Sequence, residues 1–242
     1  MGRVYVIARR EVGALFYSPI AYFVLFLFLL VTGFLFGSLV FVPGQLSEVR
    51  QLVEYLRFGL FFIVPGITMS LLADEYRSGR IEMLRTSPIT ELDLVLGKYL
   101  GAMLFYIILL ASSFIYVALL VIWGRPDWGQ TFSAYLGLLL LGMMFVSIGL
   151  FFSTCTKDQI VAYLATMLVL GFMTFASGLS TLVPKQQWFI PLRAPINYLG
   201  VWAHISDFSR GVVDTEHLVY FLGFTLLFLF LTYLIVESRK WQ

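Results

Sequence analysis

Charge is what this chain lacks most. Only 12% of its 242 residues are Asp, Glu, Lys or Arg, against 60% hydrophobic, and the mean hydropathy is +0.90; soluble domains carry about a quarter charged residues. Such a composition belongs in a membrane. Cysteine is nearly absent as well, and the single Cys155 excludes an intrachain disulfide and any cysteine-rich metal site. The two histidines, His204 and His217, show no H-E-x-x-H pattern, which argues against a catalytic metal centre. No G-x-x-x-x-G-K-S/T loop is present to cradle phosphates. If ATP drives this protein, another chain holds the ATP. A net charge of +2 with no basic cluster interleaved with aromatics gives no reason to expect a nucleic acid partner.

What is there, instead, is six long uncharged stretches: 12–47, 58–73, 99–124, 128–156, 159–184 and 218–236. A spanning helix needs about 20 apolar residues to cross the hydrocarbon layer, so each stretch predicts one span. The expected architecture is an all-α membrane protein with a single transmembrane domain over 1–242. Its spans are expected at 20–42, 54–73, 98–123, 132–153, 159–183 and 218–236. The second stretch is the shortest, and the span is expected to borrow residues 54–57, with Arg57 snorkelling outward. No ionisable group lies inside any stretch, whereas ion-coupled carriers keep one within the bundle. A self-contained, ion-driven transporter is disfavoured.

Six spans put both termini on one side together with 74–98 and 154–158. That side holds ten of the sixteen Lys and Arg residues, so the positive-inside rule predicts cytoplasmic termini in an inner membrane. The first apolar run, Ile20 to Val42, is too long for a signal h-region and is followed by no A-x-A site. It reads as a retained span. Before it, Val4, Tyr5, Ala8, Val12, Leu15 and Phe16 fall within one arc at helical spacing, with Arg3 and Arg10 opposite and Arg9 and Glu11 flanking. This predicts an interfacial helix at 3–17 that ends at Ser18-Pro19. In the second span, Pro65-Gly66 permits a bend.

The charge that the chain does carry is concentrated. Nine of its thirty charged residues lie between Ala73 and Tyr99: Asp74, Glu75, Arg77, Arg80, Glu82, Arg85, Glu91, Asp93 and Lys98. Ile81, Met83 and Leu84 give a short helix one apolar side, Pro88 ends it, and Thr90 with Asp93 matches the capping box S/T-x-x-D/E that starts the next helix. A plain connection needs only a few polar residues. The expected feature is a short helix projecting toward the cytosol. On the other side, 184–217 contains three prolines and the aromatics Trp188, Phe189, Tyr198, Trp202 and Phe208. Aromatics favour the headgroup level, so short helices dipping into the outer interface are expected there.

The stretch FIVPGITMSLLADEYRSGRIEMLRTSPITELDLVLGKYLGA resembles the signature of the ABC-2 type permeases. In these, a proline-bearing span runs into an acidic pair, a Gly-x-Ile/Leu-Glu helix, Ser/Thr-Ser-Pro and a Leu-Gly-Lys. REVGALFYSPIAYFV resembles their elbow helix and first span, and the stretch from Asp207 to Trp241 resembles the gliding-motility-associated branch. The resemblance implies a permease subunit that couples ATP hydrolysis by a separate ATPase to export or extrusion of a substrate. An alternative is mechanical signalling, in which ATPase-driven motion reaches a periplasmic partner and nothing crosses. It implies a coupling helix with Glu75, Gly79, Arg80, Ile81, Glu82, Met83, Leu84, Arg85 and Thr86 contacting the ATPase. It further implies an outer gate or partner contact at Trp188, Phe189, Tyr198, Trp202 and Phe208. The chain itself is expected to bind no cofactor or metal and to catalyse nothing; ATP and Mg would sit in an ABC ATPase dimer. The other expected partners are a second permease copy or sister permease, a periplasmic auxiliary protein and membrane lipid.

Overall fold

The computed structural model describes residues 2–40, 49–79, 90–123, 127–182 and 198–239. Among these there is no strand, and the chain is helical almost throughout. In order the elements are α1 (Gly2–Tyr17), α2 (Pro19–Leu35, continued by a π-helical turn Phe36–Val40), α3 (Val49–Thr68) and α4 (Ser70–Arg77). There follow α5 (Glu91–Ser112), α6 (Phe114–Trp123), α7 (Trp128–Cys155), α8 (Gln159–Leu182), α9 (Val201–Phe208) and α10 (Thr215–Ser238). Six helical stretches are long and apolar enough to cross a membrane: Ala21–Ser38, Val49–Arg77, Glu91–Ile122, Trp128–Cys155, Gln159–Ala176 and Thr215–Ser238. The protein is an all-α, six-span, multi-pass membrane protein.

The helices start where local chemistry directs. Thr90 Oγ1 accepts from the Asp93 amide at 3.2 Å while Asp93 Oδ2 accepts from the Thr90 amide at 3.3 Å, closing the capping box expected before α5. Asp127 and Asp214 cap α7 and α10 with a single bond each, accepting from the amide two residues on. The second span begins at Val49, where an Arg50–Glu54 pair at 3.8 Å supports its first turns. Arg57 does not snorkel outward as the sequence suggests. Only 7% exposed, it lies 3.6 Å from the ring centre of Trp202, which α9, packed on α7 and α8, carries to it. A guanidinium desolvated on an indole face gains about 2 kcal/mol.

The hub is α7. Its span is 72% buried, against 22% for the first span, and it packs on α3, α4, α5, α8, α9 and α10. In a membrane, close helix approach depends on small residues, and α7 supplies glycines where neighbours press hardest. A Cβ added at Gly142 would stand 2.1 Å from the ring of Tyr106, and one at Gly149 2.0 Å from Thr68 Oγ1. One turn beyond Gly149, Ser153 reaches the break at Met69 between α3 and α4. The amides of Leu72 and Ala73 donate to Ser153 Oγ at 3.0 and 3.1 Å, and its hydroxyl donates to the Met69 carbonyl at 2.9 Å. The helix runs through Pro65 and is interrupted at Met69 instead. Ser153→Ala removes the acceptor of two buried amides at once and is expected to lower stability by about 1–3 kcal/mol. Denaturation of the purified protein by SDS reads this directly; a change within about 0.5 kcal/mol would show that the amides are satisfied within the helix.

Candidate functional site

The first and last described helices, α1 and α10, begin and end respectively at one end of the bundle. There Arg239 donates to the Cys155 carbonyl at 3.1 Å and stands 4.4 Å from the ring of Tyr76. This terminal end also holds the roots of the 80–89 segment, since α4 leads into it and α5 leads out. Gly79, the last residue described before the segment, has φ +70°, a left-handed turn that glycine adopts without strain.

Between those roots lies a buried cluster of charge. Lys98, on the second turn of α5, is 1% exposed, and its three ammonium protons have three acceptors: Glu75 Oε1 of α4 at 2.9 Å, Glu11 Oε1 of α1 at 3.1 Å and the Leu71 carbonyl at 2.5 Å. The ammonium is saturated. Arg10 approaches Glu75 Oε1 at 3.9 Å from an exposed position, while Glu75 Oε2 is buried without a hydrogen-bond partner among the described residues. A charge pair buried this deeply is costly to form and costlier to break on one side only. Three helices are thereby tied at one atom, Lys98 Nζ.

The elbow helix α1 is drawn into this junction by close packing on α5. A Cβ at Gly97 would fall 2.6 Å from Ile7 Cβ, and one at Gly101 2.7 Å from Glu11 Cβ. The two glycines are four residues apart and leave a groove in which Ala8 is buried at 3% exposure. Glu11 therefore faces inward instead of flanking the apolar arc, and Tyr5, expected in that arc, is 66% exposed. Gln159, at the start of α8, donates to Asp74 beside Glu75. A cavity of about 410 Å³ adjoins the cluster, bordered by Arg10, Glu11, Gly66, Asp74, Glu75 and Gln159.

Of the residues the sequence assigned to an ATPase contact, Glu75 and Gly79 are placed here; Arg80, Ile81, Glu82, Met83, Leu84, Arg85 and Thr86 lie outside the described residues. On the other side, Trp188 and Phe189 are also outside them. Tyr198 and Trp202 are 47% and 44% exposed, whereas Phe208 is wholly buried. A Cβ at Gly137 would meet Phe208 Cβ at 2.7 Å, so Phe208 anchors α9 to α7 and offers no contact surface. Among the described residues no group of three His, Cys, Asp or Glu side chains is arranged to hold a metal ion.

Sequence reading missed Glu11 and Lys98 as partners of Glu75, although the spacing of Gly97 and Gly101 signalled close approach on that face. The arrangement is a polytopic helical domain in which α4 and α5, the helices on either side of residues 80–89, are clamped together. Residues 3–202 match the ABC-2 type transporter family, and the chain belongs to that family as a transmembrane component. The match does not support the gliding-motility-associated branch. Comparison with curated proteins finds no match.

Proposed function

We propose that this chain is the permease subunit of an ABC-2 transporter and couples ATP hydrolysis by a separate ATPase dimer to export or extrusion of a substrate. The observation that supports this reading is the Lys98 clamp. Glu75 stands five residues before the 80–89 segment and Lys98 nine after it, and their contact at 2.9 Å joins both roots to the elbow helix through Glu11. A helix hung on two such roots transmits displacement to α3, α5 and α1 together. A connection without the clamp would absorb it. In this scheme the segment is the coupling helix, facing the cytoplasm of a bacterial inner membrane, and ATP and Mg are held by the ATPase. A second permease copy or a sister permease completes the membrane pore, and residues such as Tyr198 and Trp202 face the outer side.

Ile81 and Leu84, three residues apart, share one helix face and insert into the ATPase. Burying such a side chain is worth about 1.5–3 kcal/mol, while a carboxylate in the same pocket would be desolvated and unpaired. Leu84→Asp is expected to weaken assembly by about tenfold or more, since about 1.4 kcal/mol already corresponds to that factor. Glu82→Lys should have a smaller, salt-sensitive effect. The measurement is ATPase copurified per permease, with monodispersity of the permease as control. Full ATPase recovery with Leu84→Asp would reduce the segment to a solvated connector. Substrate-stimulated hydrolysis with measurable transport separates export from mechanical signalling to an outer partner.

A further inference from the structure

The chain has only two histidines, and they meet ring to ring at the end of the bundle opposite the termini. His204 Nδ1 lies 2.8 Å from His217 Nδ1. The remaining nitrogens face outward along the same line: His204 Nε2 lies 2.9 Å from the Tyr198 carbonyl oxygen, and His217 Nε2 lies 2.9 Å from Asp207 Oδ2. Both terminal partners are acceptors only, a peptide carbonyl and a carboxylate. Each ring must therefore carry its proton on Nε2. The central contact needs one proton more, on one of the two Nδ1 atoms, and two neutral imidazoles have none to spare.

We propose that His204 and His217 form a proton-binding site that holds one shared proton between α9 and α10, with Asp207 as its counter-charge. The ligand is the proton itself. Its position follows from the surroundings. His204 is 4% exposed and stacked on the ring of Tyr220 at 4.0 Å, with Tyr198 edge-on at 5.4 Å. Burial holds its pKa below the ordinary histidine value, against the opposing pull of the Tyr198 carbonyl. His204 is accordingly the neutral Nε2–H tautomer, and His217, beside Asp207, is the imidazolium.

The groups around the pair are mostly acidic. From α9 and its end come Asp207 and Arg210, the latter 3.8 Å from Asp207 Oδ1; from α10 come Glu216, Tyr220 and the capping Asp214. Tyr198 precedes α9. At this end α7 contributes its capping Asp127 and Gln130, which donates to the Ser209 carbonyl at 2.7 Å. Arg57 of α3 is engaged by Trp202 of α9, and α8 has no charged residue.

The link between α9 and α10 is complete only with one proton. When pH falls through the depressed pKa of His204, a second proton sets two N–H groups against each other at the central contact. That stabilisation is present above the ordinary histidine value, about 6.5, and is lost below the folded-state value. Without the shared proton, three contacts have two protons and one of them opens.

The full chain, labelled with ¹⁵N-histidine and reconstituted in lipid nanodiscs, gives ring signals from these two residues alone. At about pH 7 the expected spectrum shows one ring with both nitrogens protonated and one with Nε2–H only. Two neutral rings, or two imidazolium rings, would overturn the proposal. Asp207→Asn offers an amide N–H to a bare Nε2 and is expected to remove the imidazolium at the same pH; its persistence there would also overturn it. The wild-type count decides the matter even if the variant does not fold.

Discussion

Lys98→Met is expected to destabilise the protein by about 3–5 kcal/mol, because it strands two carboxylates in a buried site with no ammonium between them. Glu75 has a side chain 7% exposed and Glu11 one 15% exposed, and water in the adjoining cavity can supply hydrogen bonds but no counter-charge. The Leu71 carbonyl loses its donor as well. Removing the whole charged set should have the opposite sign: Lys98→Met combined with Glu75→Leu and Glu11→Met is expected to recover most of the loss, since a well-packed apolar replacement of a buried ion cluster is often neutral or better. On the proposed function, that triple variant folds yet fails to stimulate the bound ATPase. SDS unfolding and ATPase assays on the same preparations separate the two effects. A cost below about 1 kcal/mol for Lys98→Met, the range of exposed pairs, would mean that the cluster is hydrated and clamps nothing.

Gly142→Ala is expected to be nearly as damaging, although it adds one methyl group. That methyl would lie 2.1 Å from two ring atoms of Tyr106, and Tyr106 cannot swing away. Its side chain is 1% exposed and its hydroxyl donates to the Leu138 carbonyl at 2.5 Å. Forcing α5 from α7 costs about 1–3 kcal/mol by overpacking, with the upper end expected for a rigid ring. Tyr106→Leu should relieve part of this in the double variant, making the pair less destabilised than the sum of the singles. Thermal aggregation of the solubilised protein, followed for the two singles and the double, checks the sign of the coupling. Strict additivity would show that the ring and the methyl never meet.

Much of the scaffold was legible in the sequence because it follows from local rules. Uncharged stretches define spans wherever the solvent is lipid, and the Thr90–Asp93 box is satisfied within four residues of chain. The clamp was not legible. Glu11 and Lys98 each border an uncharged stretch and Glu75 stands one residue beyond another, so each reads alone as a helix-end charge; only the fold brings residues 87 positions apart to 3.1 Å. Arg57 misled for a related reason. Snorkelling is the expected fate of an isolated cation near a span's end, but Trp202 arrives from 145 positions away to cover it. The histidines, read only for metal spacing, are joined because α9 folds back on α10. The helix expected from Gly79 to Thr86 lies, beyond Gly79, outside the described residues and rests on sequence.

One hydroxyl, that of Ser153, stands in for a piece of helix, and this sets how torque travels. The second span is two shafts meeting at Met69, and twist imposed on α4 reaches α3 through α7, to which the joint is pinned by Ser153 and packed by Gly149. Residues 128–155 form one unbroken rod, about 42 Å long at 1.5 Å per residue. At its opposite tip Gln130 holds the Ser209 carbonyl just past α9. On the proposed function, a rotation applied at the terminal end would be delivered to the opposite end of the bundle by a single stiff axle, with the serine as its gear tooth.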